Sequence, residues 1–300
     1  MKPYPEHLLP IDGRFADLVH PMTRLERIVE GCTWTEGPVW FGDHRCLIFS
    51  DIPSDRMLRW SEAEGTSVFR APSGYANGNT RDGAGRLISC RHGMRDVART
   101  EHDGSITILA RDFGGGRLNS PNDVTTSRDG AVWFTDPSYG ILSNFEGYRA
   151  EPEQEARNVF RIAPDGTLGA VIQDFAQPNG LCFSPDERVL YVAESGSSHD
   201  ADVPSVIRRF DVEGARVAGG EIFAEIDTGF PDGMRCDVHG NLWSSAWDGV
   251  HCLSPEGDLL GKILVPERVS NLCFGGPRGN TIFITATRSV YRIVVEVTGA

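Results

Sequence analysis

An all-β fold, a six-bladed β-propeller, is the class this 300-residue sequence predicts. Two observations carry the expectation. Six segments repeat one pattern with an acidic or amide residue in the same slot: Glu36 in EGPVWFGD, Asn77 in ANGNTRDG, Asn122 in PNDVTTSRDG, Asn179 in PNGLCFSPDE, Asp232 in PDGMRCDVHG and Asn271 in SNLCFGGPRG. Ten or eleven residues after each slot comes the apolar anchor of a following strand, namely Leu47, Leu87, Val132, Leu190, Leu242 and Ile282. The second observation is the period, roughly 40 to 58 residues, which suits four strands per unit better than a helical hairpin.

Each unit reads as strand, turn, strand, strand, turn, strand. The second strands are the clearest: CLIFSD, RLISC, AVWFTD, VLYVAES, NLWSSAW and TIFITA mix β-branched, aromatic and leucine residues after Gly, Asp or Pro turns. Third strands follow as MLRWS, VARTE, VFRIA, IRRFDV, VHCLS and VYRIVV, and turn signals such as EHDG, APDG and SPEG prepare the fourth. After Asn271 only three strands remain, whereas TRLERIVEG, ahead of the first unit, is an unpaired strand. Residues 23–31 are therefore expected to complete the last blade and cover its open edge. Residues 1–22, with Pro3, Pro5, Pro10 and Pro21, read as an irregular arm on the surface, and residues 23–300 as one catalytic propeller domain.

Composition narrows the function. A net charge of −13 argues against nucleic-acid or anionic-membrane partners, which require a positive face. MKPYPEHLLPIDG lacks the basic start and apolar core of a signal peptide, so cytoplasmic residence is expected. The seven cysteines form no CxxC pair and several fall inside strands, which reads as buried reduced thiols. The expected assembly is a monomer or homodimer.

If the six slots surround one axis, they form a ring of oxygen donors. Two carboxylates, Glu36 and Asp232, would balance one divalent ion while four amides add neutral oxygens, a set suited to calcium, magnesium or manganese rather than to zinc. An Asn or Asp before Gly also starts ordinary turns, but six copies in register are hard to reconcile with turns alone. The ends of the second strands should face the same mouth, assigning His92, Asp136, Tyr139, Glu194, Ser195, Trp247 and Asp248 to its rim. The long loops 137–157 and 195–205 should carry substrate selection.

TEGPVW, LNSPNDV, WFTDPSYG, QPNGLCFSPDE and FPDGMRCDVHGNLW together resemble the senescence marker protein, gluconolactonase and luciferin-regenerating-enzyme-like family of six-bladed propellers, over residues 25–297. RLISCRHG and TEHDGSITILA are similar to its bacterial gluconolactonase branch. The resemblance implies one divalent cation, calcium first with magnesium, manganese or zinc as alternatives, held by Glu36, Asn122, Asn179 and Asp232. It also implies hydrolysis of a sugar lactone, with Asp232 as the base. It leaves Asn77 and Asn271 outside the ligand set, as contacts for substrate or water. Where regucalcin-type members carry an arginine two residues before the metal-binding Asn, this chain has Ser120. Their substrate contacts therefore do not transfer.

From residue type and rim position, His92 is a second catalytic candidate, although a loop histidine making surface contacts would sit equally well there. Tyr139 and Trp247 are expected to stack on a sugar ring, and Asp123 to support the metal shell. Trp34 and Trp40 are expected in the core. Two rival functions use the same ring: a phosphotriesterase of the diisopropyl fluorophosphatase type, and a non-catalytic calcium-binding propeller.

Overall fold

A computed structural model of the protein describes residues 5–300. Six antiparallel blades of four or five strands follow one another along the chain, as the repeat predicts, with a two-stranded ribbon, Asp112–Phe113 and Gly116–Arg117, between the second and third. Their first strands are Thr35–Phe41, Ala76–Arg81, Val124–Thr126, Pro178–Phe183, Met234–Cys236 and Val269–Gly275. Their second strands are Cys46–Asp51, Leu87–Arg91, Val132–Thr135, Val189–Glu194, Leu242–Ala246 and Thr281–Ala286. Ring closure is as expected: Glu26–Val29 is the fourth strand of the last blade, with Glu26 opposite Arg292 and Val29 opposite Val290.

The irregular arm requires correction. Leu8–Pro10 pairs with Leu259–Leu264 as a fifth strand of the fifth blade, and Phe15–Leu18 forms one helical turn. Phe15, Leu18 and Val19 are buried in the core between the fifth and sixth blades. Apolar burial of Phe15 explains why a proline-rich segment is tied down rather than loose. Of the four prolines behind the expectation, Pro3 lies outside the described residues.

Every neighbouring pair of blades shares an apolar cluster. Trp133 and Phe175 of the third blade, for example, pack with Leu190 and Phe210 of the fourth. All seven cysteines are free and buried, several of them in these clusters. Among the described residues no helix is long and apolar enough to cross a membrane.

Candidate active site

The first strands deliver the ring. In four blades their pairing with the second strand shifts register at the ring position: between Glu36 and Val39, Ala76 and Asn79, Pro178 and Leu181, and Val269 and Asn271. A bulge bends its strand and re-aims a side chain, which here turns a polar residue towards the axis. In the other two blades Asn122 and Asp232 stand just before the first strand begins. The glycine after a ring residue permits close approach rather than a turn. A Cβ on Gly180 would lie 2.0 Å from the Asp232 carbonyl oxygen, and one on Gly233 would lie 1.9 Å from the Asn271 amide carbon.

Five of the six ring residues meet in one cavity of about 110 Å³. Glu36, Asn77, Asn122, Asn179 and Asp232 line it together with Trp34, Ile52, Tyr139, Glu146 and Phe230. A larger groove of about 730 Å³ lies elsewhere, around Trp40, Trp60 and Phe283, and holds no ring residue. The polar donors of the ring converge on the smaller space.

The electrostatics of this cavity are unbalanced. Burial, reinforced by the negative charge of Asp123, holds Glu36 above the usual carboxylate range. Asp232 is pushed up by burial first, then by the charges of Glu36, Asp123 and Glu146. The cation beside them is Arg235, whose Nη1 lies 3.6 Å from Asp123 Oδ2. Four carboxylates, Glu36, Asp123, Glu146 and Asp232, against one guanidinium leave three negative charges uncompensated when all are ionised. The buried Oδ1 atoms of Asn77 and Asn179 have no hydrogen-bond partner, although buried polar oxygens nearly always do. Uncompensated charge and orphaned carbonyl oxygens are what a hard divalent cation and its water would satisfy, so the residues present fit such an ion.

The structure redistributes several roles expected from the sequence. Asn271 shares the ring register but does not line the cavity. Its Nδ2 donates to Glu36 Oε2 at 3.1 Å and its Oδ1 accepts the Leu272 N–H at 2.8 Å, so its amide is turned to Glu36 and its own backbone rather than into the cavity. His92 does not reach the rim: it is fully buried behind Asn77, and burial lowers its pKa to about 4. Trp247 stands behind Phe230, with ring centroids 5.6 Å apart, and lies under the Arg268 guanidinium. Phe230, not Trp247, meets the cavity. Tyr139 lines it as expected, with its hydroxyl held by the Ser195 carbonyl at 3.2 Å and Ser198 Oγ at 3.1 Å.

The remaining rim candidates are structural. Glu194 accepts the backbone N–H groups of Ala176, Gln177 and Gly196. Asp136 accepts the Asn119 N–H, and burial raises its pKa to about 7. Ser195 Oγ donates to the Pro231 carbonyl. Asp248 joins Asp227 and His251 in a cluster whose metal-competent atoms lie within 4.8 Å of one another. There Lys262 Nζ is 2.7 Å from Asp227 Oδ1 and 3.0 Å from Asp248 Oδ2, so an ammonium already holds the cation's place.

Four cavity residues escaped the sequence reading, among them Ile52, which follows the second strand of the first blade. Trp34, expected in the core, is half-buried and lines the mouth; Phe230, just before PDG, does likewise. Glu146 comes from the middle of the long loop 137–157, where no repeat marks it. Its one signal was the loop's length.

The SMP-30/gluconolactonase/LRE-like region model matches residues 34–288. A gluconolactonase of Zymomonas mobilis is 35% identical over 92% of this chain and 83% of its own length. Pentonolactonase XacC of Haloferax volcanii is 30% identical over 86% and 84%. The solved structure of a gluconolactonase from Xanthomonas campestris superposes with a TM-score of 0.90 at 35% identity, covering 96% of this chain and 94% of that one.

Proposed function

The chain belongs to the SMP-30/gluconolactonase/LRE-like family, and from that premise we propose that it is a lactonase that opens a sugar lactone to the aldonic acid in the ring cavity. The observation that carries this reading is the convergence of Glu36, Asn77, Asn122, Asn179 and Asp232 on one space with uncompensated charge and orphaned amide oxygens.

A divalent cation, calcium first, would be held by Glu36, Asn122, Asn179 and Asp232 and would supply polarisation of the lactone carbonyl. The chain's own residues do the rest. Asp232 opens on the cavity and takes the proton of the attacking water, a role for which a positioned carboxylate is suited. Asn77 Oδ1, free of any protein donor, accepts a hydrogen from water or from a sugar hydroxyl. Trp34, Ile52 and Phe230 supply the apolar wall that covers the ring carbons and limits bulk water. The buried free thiols favour a reducing, cytoplasmic setting.

The test follows acid release from gluconolactone at constant pH, before and after chelation and again with calcium restored. Loss and recovery of turnover support both parts of the reading. Full activity after complete chelation would remove the metal from it. Hydrolysis of a phosphotriester with no lactone turned over would replace it by the phosphotriesterase alternative.

A further inference from the structure

The loop that carries Glu146 is built as a fixed wall. It leaves the third blade through the helical turn Tyr139–Leu142 and closes on itself where the Ala150 N–H donates to the Ile141 carbonyl at 3.0 Å. The Arg149 N–H donates to Asn144 Oδ1 at 2.9 Å. Gly147 presses on the base of the loop: a Cβ there would lie 2.2 Å from the Gly140 carbonyl oxygen. The Tyr148 ring meets Tyr75 of the second blade edge-on, with centroids 5.2 Å apart. The Glu146 carboxylate thus reaches the cavity on a chain segment tied at several points. Among the described residues no donor of the protein holds it, and burial alone raises its pKa to about 7.

His92 stands where this loop meets the ring. Its Nδ1 is 3.2 Å from the Glu146 carbonyl oxygen and its Nε2 is 3.1 Å from Asn77 Nδ2. A carbonyl only accepts, so Nδ1 carries the hydrogen, and Nε2 must then accept from the Asn77 amide. Both bonds exist together in one neutral tautomer only. The same arrangement decides which way the Asn77 amide faces: its nitrogen is held by His92, and its oxygen is left towards the cavity without a protein partner. One buried imidazole therefore fixes two oxygen acceptors that come from different blades.

We propose that Glu146 reads the hydroxyl groups of the lactone and that His92 is the positioning residue that holds Glu146 and Asn77 towards them. The proposal rests on the lactonase reading above. A carboxylate with no internal donor accepts two hydroxyl hydrogens, and Asn77 Oδ1 accepts another, so a polyhydroxylated ring fills acceptors that a bare ring leaves empty. Discrimination rests most on Asn77 Oδ1, a buried acceptor that is costly to leave unpaired, with the half-buried Glu146 carboxylate beside it.

The experiment compares gluconolactone with δ-valerolactone, which carries no hydroxyl groups, in the calcium-loaded full-length protein after subtraction of spontaneous hydrolysis. Its readout is the ratio of the two kcat/KM values. Glu146→Ala should lower the ratio about 10-fold to 100-fold, the range for lost hydrogen bonds to a charged group, and Glu146→Gln, which keeps one acceptor, should lower it less. His92→Gln keeps a group at the Nε2 place and releases the loop, so its loss should not add to that of Glu146→Ala in the double variant. His92→Asn keeps an N–H at the Nδ1 place and releases Asn77, so it should match Asn77→Ala. A ratio unchanged in Glu146→Ala overturns the proposal, as does a His92→Gln loss that adds fully to the Glu146→Ala loss. If the wild-type protein hydrolyses neither lactone, the lactonase reading itself has failed.

Discussion

Replacing Asn271 by alanine separates a structural ring member from a substrate contact. Asn271 is buried, and each end of its amide is engaged. Nδ2 donates to the Glu36 carboxylate at 3.1 Å, and Oδ1 accepts the Leu272 N–H at 2.8 Å. A hydrogen bond to a charged group contributes about 1.5–3 kcal/mol, and a buried donor left unpaired costs about 1–3 kcal/mol. These effects share one side chain and do not add fully, so the expected loss is about 2–4 kcal/mol. Glu36 would also lose the partner that orients it, and such outer partners typically change metal affinity about 10-fold to 100-fold. Urea unfolding in the presence of chelator measures the first effect without linkage to metal binding, and calorimetric titration with calcium measures the second. A stability loss below about 0.5 kcal/mol with unaltered calcium affinity would refute the reasoning. A rise in KM for lactone with stability intact would restore Asn271 as a substrate contact.

The other predictions concern the base, the charge imbalance and the arm. Asp232→Asn, assayed at measured full metal occupancy, should lower lactone turnover about 100-fold to 10,000-fold; near wild-type turnover across neutral pH would make Asp232 a ligand only. Glu36 is raised by burial and the charge of Asp123, and Asp232 by burial and the charge of Glu36, so in metal-free protein their contribution to stability is complete below the ordinary carboxylate pKa of about 4 and is lost as pH rises through the raised values. The Tm gap between calcium-loaded and chelated protein should therefore widen from about pH 5 to about pH 9, and a constant gap in calorimetry would contradict that. Phe15→Ala should destabilise the fold by about 3–5 kcal/mol in urea, since Phe15 is fully buried against Gly261; a change near zero would mean the arm is not docked.

The repeat was legible because it is local. A slot residue, a fixed spacing and a β-branched strand recur in each unit whatever the rest of the chain does, and six copies allow one arrangement that covers their edges, a closed ring. That was enough to place Glu36, Asn77, Asn122, Asn179 and Asp232 in one cavity and to assign residues 23–31 to the last blade. The division of labour within the ring was not legible, because it depends on neighbours that only closure brings together. Asn77 and Asn271 occupy the same slot with the same side chain. Asn77 has His92 behind it and keeps its oxygen for the cavity, whereas Asn271 meets Glu36 from across the ring seam, 235 residues away in sequence, and gives it its amide. Glu146 and His92 show the same limit: the repeat pattern does not mark a loop carboxylate, and whether a histidine is a rim acid or a buried clamp depends on what packs over it. An amide or imidazole takes its role from the donors and acceptors within about 3 Å, and here those come from other blades.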